Sequence, residues 1–183
     1  ILLMHVSLDG FVAGPNGEMN WIKFDGPLVD DVAALTDTAD TALFGRVTYQ
    51  GMASYWPTPA AAVDNSIVTN MMNTLPKVVF STTLDTVEWG TWTNIRLVRT
   101  QVAAEVARMK RLPGKDMVIM GSGTIVSQLT QERLIDEYQI IVHPLVLGSG
   151  RTLFQGVKQQ VPLKRVNSRT FGNGNVLLTY VLE

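Results

Sequence analysis

The chain has 183 residues, no cysteine, and 15 Lys plus Arg against 16 Asp plus Glu, for a formal net charge of -1. With 46% hydrophobic and 17% charged residues, it can bury a full core, which excludes a disordered chain. Near-neutrality excludes bulk nucleic-acid binding; the missing cysteines exclude a disulfide framework, a cysteine–zinc site and a thiol nucleophile.

The opening run Ile1-Leu2-Leu3-Met4 is too short for a signal h-region and reads as part of a strand over Leu2–Leu8. That strand ends in Ser7-Leu8-Asp9-Gly10, where Asp9 acts as an acid or caps the turn. Gly-Pro-Asn-Gly at 14–17 marks a mobile loop, and Trp21 beyond it either stacks on a flat ring or fills the core. Pro27 opens a helix with Leu28, Val32 and Leu35 on its inner face. Asp30 and Asp31 then fall in its first turn, where the macrodipole favours them, unless one serves a substrate.

The next strand, Thr41–Phe44, runs into Gly45-Arg46-Val47-Thr48-Tyr49. An arginine behind a strand-end glycine can pair bidentately with phosphate, and Thr48 can donate to another oxygen; otherwise Arg46 is simply solvated. Region 50–60 reads as a second mobile loop. Thr58-Pro59 then caps a helix with Val63, Ile67 and Met71 as its buried stripe. Strand Val78–Ser81 ends in Phe80-Ser81-Thr82-Thr83. After a strand over Ile95–Val98, a helix carries Val102, Val106 and Met109 and stops at Pro113-Gly114.

Strand Met117–Met120 leads into Met120-Gly121-Ser122-Gly123-Thr124, followed by the helical stripe Ile125, Val126 and Leu129. Such glycines let backbone N–H groups approach an anion at a helix N-terminus. No Gly-Lys-Ser/Thr follows, and Val126 stands where a Rossmann fingerprint needs a third glycine. Strand Tyr138–Val146 contains His143, read as packed and hydrogen-bonded, and is followed by Gly148 and Gly150. His5 and His143 are the only histidines, so a His-rich metal site is excluded. Finally, Leu163–Thr170 and Val176–Leu182 flank Phe171-Gly172-Asn173-Gly174-Asn175, a hairpin signal.

Strand–helix alternation over the first 135 residues predicts βαβ units, a mostly parallel sheet and an appended antiparallel pair, in one domain over 1–183. Three strands end in phosphate-friendly groups. In a parallel sheet those ends share one edge, where ligands bind, so a long, multiply phosphorylated ligand is expected.

Taken in order, Ser7-Leu8-Asp9-Gly10, Gly45-Arg46-Val47-Thr48-Tyr49, Ser81-Thr82-Thr83-Leu84, Gly121-Ser122-Gly123 and Pro144-Leu145-Val146-Leu147-Gly148-Ser149-Gly150 resemble the dihydrofolate reductase-like superfamily. Within it the chain is similar to stand-alone relatives of the riboflavin-biosynthesis reductase domain, over nearly its whole length. The resemblance implies a three-layer α/β fold with a mostly parallel central sheet and a C-terminal antiparallel strand pair. It also implies NADPH as cofactor and a homodimer. By position, it puts Gly45, Arg46 and Thr48 on the cofactor phosphates, with Arg46 near the 2′-phosphate and Ser81 and Thr82 at the same adenosine end. Gly121, Ser122, Gly123 and Thr124 would cradle the pyrophosphate, and Ser7 to Ala13 with Trp21 would line the nicotinamide side.

Met120 stands where the riboflavin-pathway reductases carry a Glu, and Met19 where they carry a Ser, which argues against the housekeeping riboflavin reaction. The expectation is a cytoplasmic NADPH-dependent oxidoreductase acting on a small heterocyclic or carbonyl-like acceptor of pterin or aminopyrimidine type. Asp9, Asp30 and Asp31 are its nominated catalytic acids, and Trp21 and Met120 its substrate contacts. No metal, nucleic acid or membrane is expected as a partner. The alternative is a non-catalytic NADP-binding or regulatory domain on the same fold.

Overall fold

Apolar, β-branched runs become strands and the periodic segments between them become helices. The computed structural model describes every residue except Asp25 and Asn65, and only the backbone of Leu35, Thr36 and Asp37. In chain order the elements are β1 (Leu2–Ser7), β2 (Phe11–Ala13), α1 (Gly26–Thr38), β3 (Ala39–Gly45), α2 (Arg46–Tyr55), α3 (Pro59–Asp64), α4 (Ser66–Thr74), β4 (Lys77–Phe80), β5 (Ile95–Val98), α5 (Val102–Met109), β6 (Asp116–Ile119), α6 (Gly123–Gln131), β7 (Glu137–His143), β8 (Arg151–Thr152), β9 (Leu163–Thr170) and β10 (Val176–Leu182). They fall into two compact units, a middle one of Val29–Ser122 and an outer one of Ile1–Leu28 with Gly123–Glu183.

In the middle unit the strands lie in the order β5-β4-β3-β6, all parallel, with Leu43 beside both Val78 and Ile119. Such strands are covered on both faces, so their sequences read as continuous apolar runs. All four residues of β4 and the last four of β3 are buried. Lys77 is the exception in composition but not in burial. Its ammonium donates to the carbonyls of Asn73 (3.1 Å) and Leu75 (2.5 Å), closing orphan carbonyls at the end of α4. It also lies 4.7 Å over the Trp89 ring, and burial pushes its pKa down to about 8. Trp89 is itself fully buried, stacks on Phe44 at 6.0 Å, and donates through Nε1 to Asn73 Oδ1 at 2.7 Å.

Several expectations need correction here. Region 50–60 is largely helical: α2 occupies its first half, and Tyr49 anchors that helix by exchanging hydrogen bonds with the Glu88 backbone at 2.8 and 3.0 Å. The expected stripe of Val63, Ile67 and Met71 is not one face. The segment forms α3 and α4 separately, which bury Ala61 and then Thr69, Met72 and Asn73, while Val63 and Ile67 are exposed. Thr58 does cap α3, accepting from Ala61 N at 3.4 Å. In α1, Leu28 is buried, but the side chain of Leu35 lies outside the described residues. Because α1 opens at Gly26, Asp30 and Asp31 fall in its second turn, beyond the exposed N–H groups on which the macrodipole argument rests. α5 stops at Met109, short of Pro113.

In the outer unit the order is β1-β7-β10-β9. β1 and β7 are parallel, with Leu2 beside Tyr138 and Ser7 beside His143. β10 is antiparallel to both β7 and β9, so the chain ends in the expected antiparallel pair. β7 ends at His143 rather than Val146 because Pro144 lacks an N–H, and Leu145 N turns back to the His143 carbonyl at 2.8 Å. α6 buries Ile125, Val126 and Leu129, as its periodicity predicts. The architecture is mixed α/β with mostly parallel strands. Among the described residues no helix is long and apolar enough to cross a membrane.

Candidate functional site

In the middle unit β3 and β6 run side by side, so the segments that follow them meet. Gly45 N donates to the Gly121 carbonyl at 3.1 Å, and the Gly121–Ser122 peptide is cis. The contact requires bare backbone on both sides. A Cβ on Gly45 would collide with Ser122 Oγ, and one on Gly121 would meet Thr48 Oγ1 at 2.6 Å. Gly121 also has φ +115°, a region that side-chain-bearing residues avoid. The two glycines therefore bring the Thr48 and Ser122 hydroxyls against backbone at one strand-end edge.

Gly45 is also the N-cap of α2, and among the described residues no side chain caps that end. Uncapped N–H groups at a helix start suit an anion. Arg46, the first residue of α2, is exposed and donates to Gln50 Oε1 at 3.2 Å. The neighbouring strand β4 ends level with Gly45, since Phe80 is its register partner. Beyond it, Ser81 Oγ accepts from Thr83 N (3.2 Å) and Leu84 N (3.1 Å), so this hydroxyl shapes its own turn, while Thr82 is exposed. Thus Gly45, Arg46, Thr48, Ser81, Thr82, Gly121 and Ser122 lie at the carboxyl ends of adjacent parallel strands. Met120 precedes them half-buried, its N–H on the Leu43 carbonyl at 3.4 Å. Asp30 is exposed and Asp31 half-buried on α1.

In the outer unit Gly123 and Thr124 begin α6, with Thr124 exposed. Asp9 is tied down by three donors: Ser7 Oγ at 2.6 Å, Gly148 N at 2.8 Å and Leu147 N at 3.1 Å. The Ser7 hydroxyl, then the two amides, hold its carboxyl below the usual aspartate value of 3.8. Ser7 Oγ in turn accepts from Phe11 N at 3.0 Å. Asp9 thus fastens the turn after β1 to the segment after β7. A carboxylate stabilised in its charged form is poorly suited to giving up a proton near neutrality.

This clamp carries a pH signature. Its contribution is complete above the unfolded value of 3.8 and disappears as pH falls through the lower folded value. Asp9→Asn, which cannot satisfy three donors, will be less stable than the parent at neutral pH. The difference will shrink towards zero in acid below the folded value, as read by urea unfolding at a series of pH values. A constant difference across that range would rule out the ionised clamp.

Trp21 is not a core residue. It is half-exposed, donates through Nε1 to the Glu18 carbonyl at 3.2 Å, and sets its ring edge-on to His143 at 5.3 Å. His143 is buried, as expected of a histidine in an apolar strand, but its partner was not foreseen: His5 Nδ1 lies 2.9 Å from His143 Nε2. Strand periodicity puts His5 and Ser7 on one face. The pairing of Ser7 with His143, which completes the set, is a tertiary fact.

Comparisons with known proteins agree with this fold. A family model described as the RibD C-terminal domain matches residues 1–177. The uncharacterized protein YyaP of Bacillus subtilis (strain 168) is 32% identical over 180 residues, covering 98% of this chain and 93% of its own. A solved structure from Shewanella sp. PV-4, named for riboflavin biosynthesis, has a TM-score of 0.77 at 23% identity, covering 100% of this chain and 97% of that one. The dihydrofolate reductase of Enterococcus faecalis complexed with NADP(H) has a TM-score of 0.65 at 15% identity, covering 100% and 95% respectively.

Proposed function

Since this chain belongs to the RibD C-terminal domain family, we propose that it is an NADPH-dependent reductase that delivers hydride to a small heterocyclic or carbonyl-like acceptor. The observation that carries the reading is the contact of Gly45 with Gly121 and Ser122, beside the side-chain-uncapped start of α2. It offers backbone, two hydroxyls and a guanidinium to a phosphate-bearing ligand. The matched reductase structure from Enterococcus faecalis, complexed with NADP(H), supports the choice of cofactor.

On this reading Gly45 and Gly121 admit the cofactor phosphates to the backbone. Thr48 and Ser122 donate to phosphate oxygens, Arg46 pairs with the 2′-phosphate, and Ser81 and Thr82 hold the adenosine end. Gly123 and Thr124, at the start of α6, serve the pyrophosphate. When bound, the nicotinamide supplies the hydride. Trp21 and Met120 contact the acceptor, and Asp30 or Asp31 supplies the accompanying proton. Asp9 holds the turn after β1 and donates no proton. Assembly as a homodimer belongs to the same proposal, and light scattering tests it.

Equilibrium titration with NADPH and NADH tests the cofactor. Saturable binding that favours NADPH is expected, and binding of neither ends the proposal. Binding without oxidation by any acceptor tried leaves the non-catalytic alternative. Arg46→Ala is expected to weaken NADPH by about tenfold or more, the worth of a charge-assisted hydrogen bond, and NADH far less. Equal losses for both would remove the 2′-phosphate role.

A further inference from the structure

The loop after β2 contains a reactive pair that the reductase reading leaves unused. Two asparagines of the chain precede glycine, Asn16 before Gly17 and Asn173 before Gly174. In such a pair the glycine amide can attack the asparagine side chain, because no Cβ shields the nitrogen. The fold treats the two pairs very differently.

Asn16 is exposed, in a loop over 14–18 that closes on itself. Gly14 N donates to the Glu18 carbonyl at 2.9 Å, and Gly17 N to the Gly14 carbonyl at 3.0 Å. The Glu18 carboxylate is the latch. It accepts from Asn16 N at 3.0 Å and from Asn16 Nδ2 at 2.7 Å. A Cβ on Gly14 would strike that carboxylate, so the loop wraps it closely. The Glu18 carbonyl also accepts from Trp21 Nε1 at 3.2 Å. Opening this loop breaks a few exposed hydrogen bonds, the cheapest kind of local unfolding.

Asn173 is half-buried and its Nδ2 is fully buried. Its turn joins β9 to β10 just beyond the pair Thr170 and Val176. Asn173 Oδ1 accepts from Asn175 N at 3.0 Å, and Gly174 N donates to the Phe171 carbonyl at 3.0 Å. Freeing Gly174 N means opening the end of an antiparallel ladder, and the amide that must depart is shielded from water.

The chemistry needs water alone. Gly17 N bonds to Asn16 Cγ, the Cγ–Nδ2 bond breaks, and the Gly17 proton leaves with ammonia. Water then adds to either carbonyl of the resulting five-membered imide. One ring C–N bond breaks, and aspartate or isoaspartate remains. One water has entered, one ammonia has left, and nothing is oxidised or reduced. The product places a carboxylate where Nδ2 had donated. The Asn16 amide is the largest influence holding the Glu18 carboxyl below its usual 4.5, and the Arg151 guanidinium is a smaller one. Two carboxylates in contact disfavour each other's charge, so a latch becomes a repelling pair.

We propose that Asn16-Gly17 is a self-modification site: deamidation of Asn16 unlatches the 14–18 loop from Glu18 and loosens the hold on the Trp21 indole, while the fold shields Asn173-Gly174. The step draws on neither cofactor nor acceptor, so it stands whether or not the chain is a reductase.

The folded protein is incubated at mildly alkaline pH, digested at intervals, and its peptides are followed by mass spectrometry with an isoaspartate-specific methyltransferase as the probe. Residue 16 is expected to convert at least about tenfold faster than residue 173, the ratio set by a modest difference in opening free energy. In denaturant the two rates are expected to converge. No conversion at residue 16, or conversion no faster than at residue 173, overturns the inference. The same ratio in denaturant would trace the difference to flanking sequence and overturns it too. Asn16→Asp reproduces one product. Hydrogen exchange at the Gly14 and Gly17 amides is expected to quicken by about threefold or more, the worth of one net hydrogen bond. Unchanged exchange in a folded Asn16→Asp protein would show that Asn16 and Glu18 form no latch. The wild-type digest decides the site even where the variant fails to fold.

Discussion

Alanine at position 121 is expected to weaken NADPH binding by at least about tenfold and to lower the melting temperature by several degrees. Two costs combine. At φ +115° the residue lies where a side chain is strained, which costs roughly 1–3 kcal/mol. The new Cβ would also meet Thr48 Oγ1 at 2.6 Å, displacing a hydroxyl assigned to a phosphate. In a protein of this size each kcal/mol moves the midpoint by about 2–4 °C. Gly45→Ala separates the two effects: its φ of -81° is ordinary, so what remains is the collision with Ser122, whose Oγ it strikes and whose Cβ and backbone N it crowds at 3.1 and 3.2 Å. Gly45→Ala should therefore lose cofactor with less loss of stability. Calorimetry and NADPH titration on both variants check the pair. An unaltered Gly121→Ala protein would show that the close approach of these segments serves neither the fold nor the cofactor.

Trp89→Ala is expected to be the most damaging single change in the middle unit, costing about 3–5 kcal/mol. The ring is fully buried, stacked on Phe44, and lies beneath the Lys77 ammonium. Its removal leaves a cavity and strips Asn73 Oδ1 of the indole N–H. Phe44 immediately precedes Gly45, so loosening this packing reaches the proposed phosphate site through one peptide bond. Trp89→Phe keeps most of the packing and loses the donor, for about 1–3 kcal/mol. Urea midpoints for the two variants distinguish cavity from hydrogen bond. A cost below about 1 kcal/mol for alanine would mean that the site collapses freely and that Trp89 is no keystone.

What the sequence revealed followed periodicity. β5, β9 and β10 occupy their expected spans, and the stripe of α6 is buried as expected. Failures came where local pattern and tertiary context disagree. Val63, Ile67 and Met71 have helical spacing, yet α3 and α4 are separate helices with different buried faces. α2 lacks a strong stripe because Val47 is exposed and Tyr49 alone is buried, and Gly51 in its interior reads as a breaker. The family resemblance identified the strand-end glycines by order alone. The reason they must be glycines is tertiary: hydroxyls pack on their backbone. Likewise, Asp-Gly announced a turn at Asp9, but the amides that hold its carboxylate lie 138 and 139 residues away.

The outer unit is assembled from both ends of the chain, and its first strand pairs with a partner 136 residues later, Leu2 with Tyr138. During synthesis the middle unit is contiguous and can begin to order while the outer one still lacks most of its strands. β1, a mostly apolar strand that is almost wholly buried, must then wait for β7 with an edge uncovered. Closing so long a loop is slow, because its entropy must be spent before any contact rewards it. The interval between emergence of β1 and emergence of β7 is therefore when the nascent chain is most prone to associate with its neighbours.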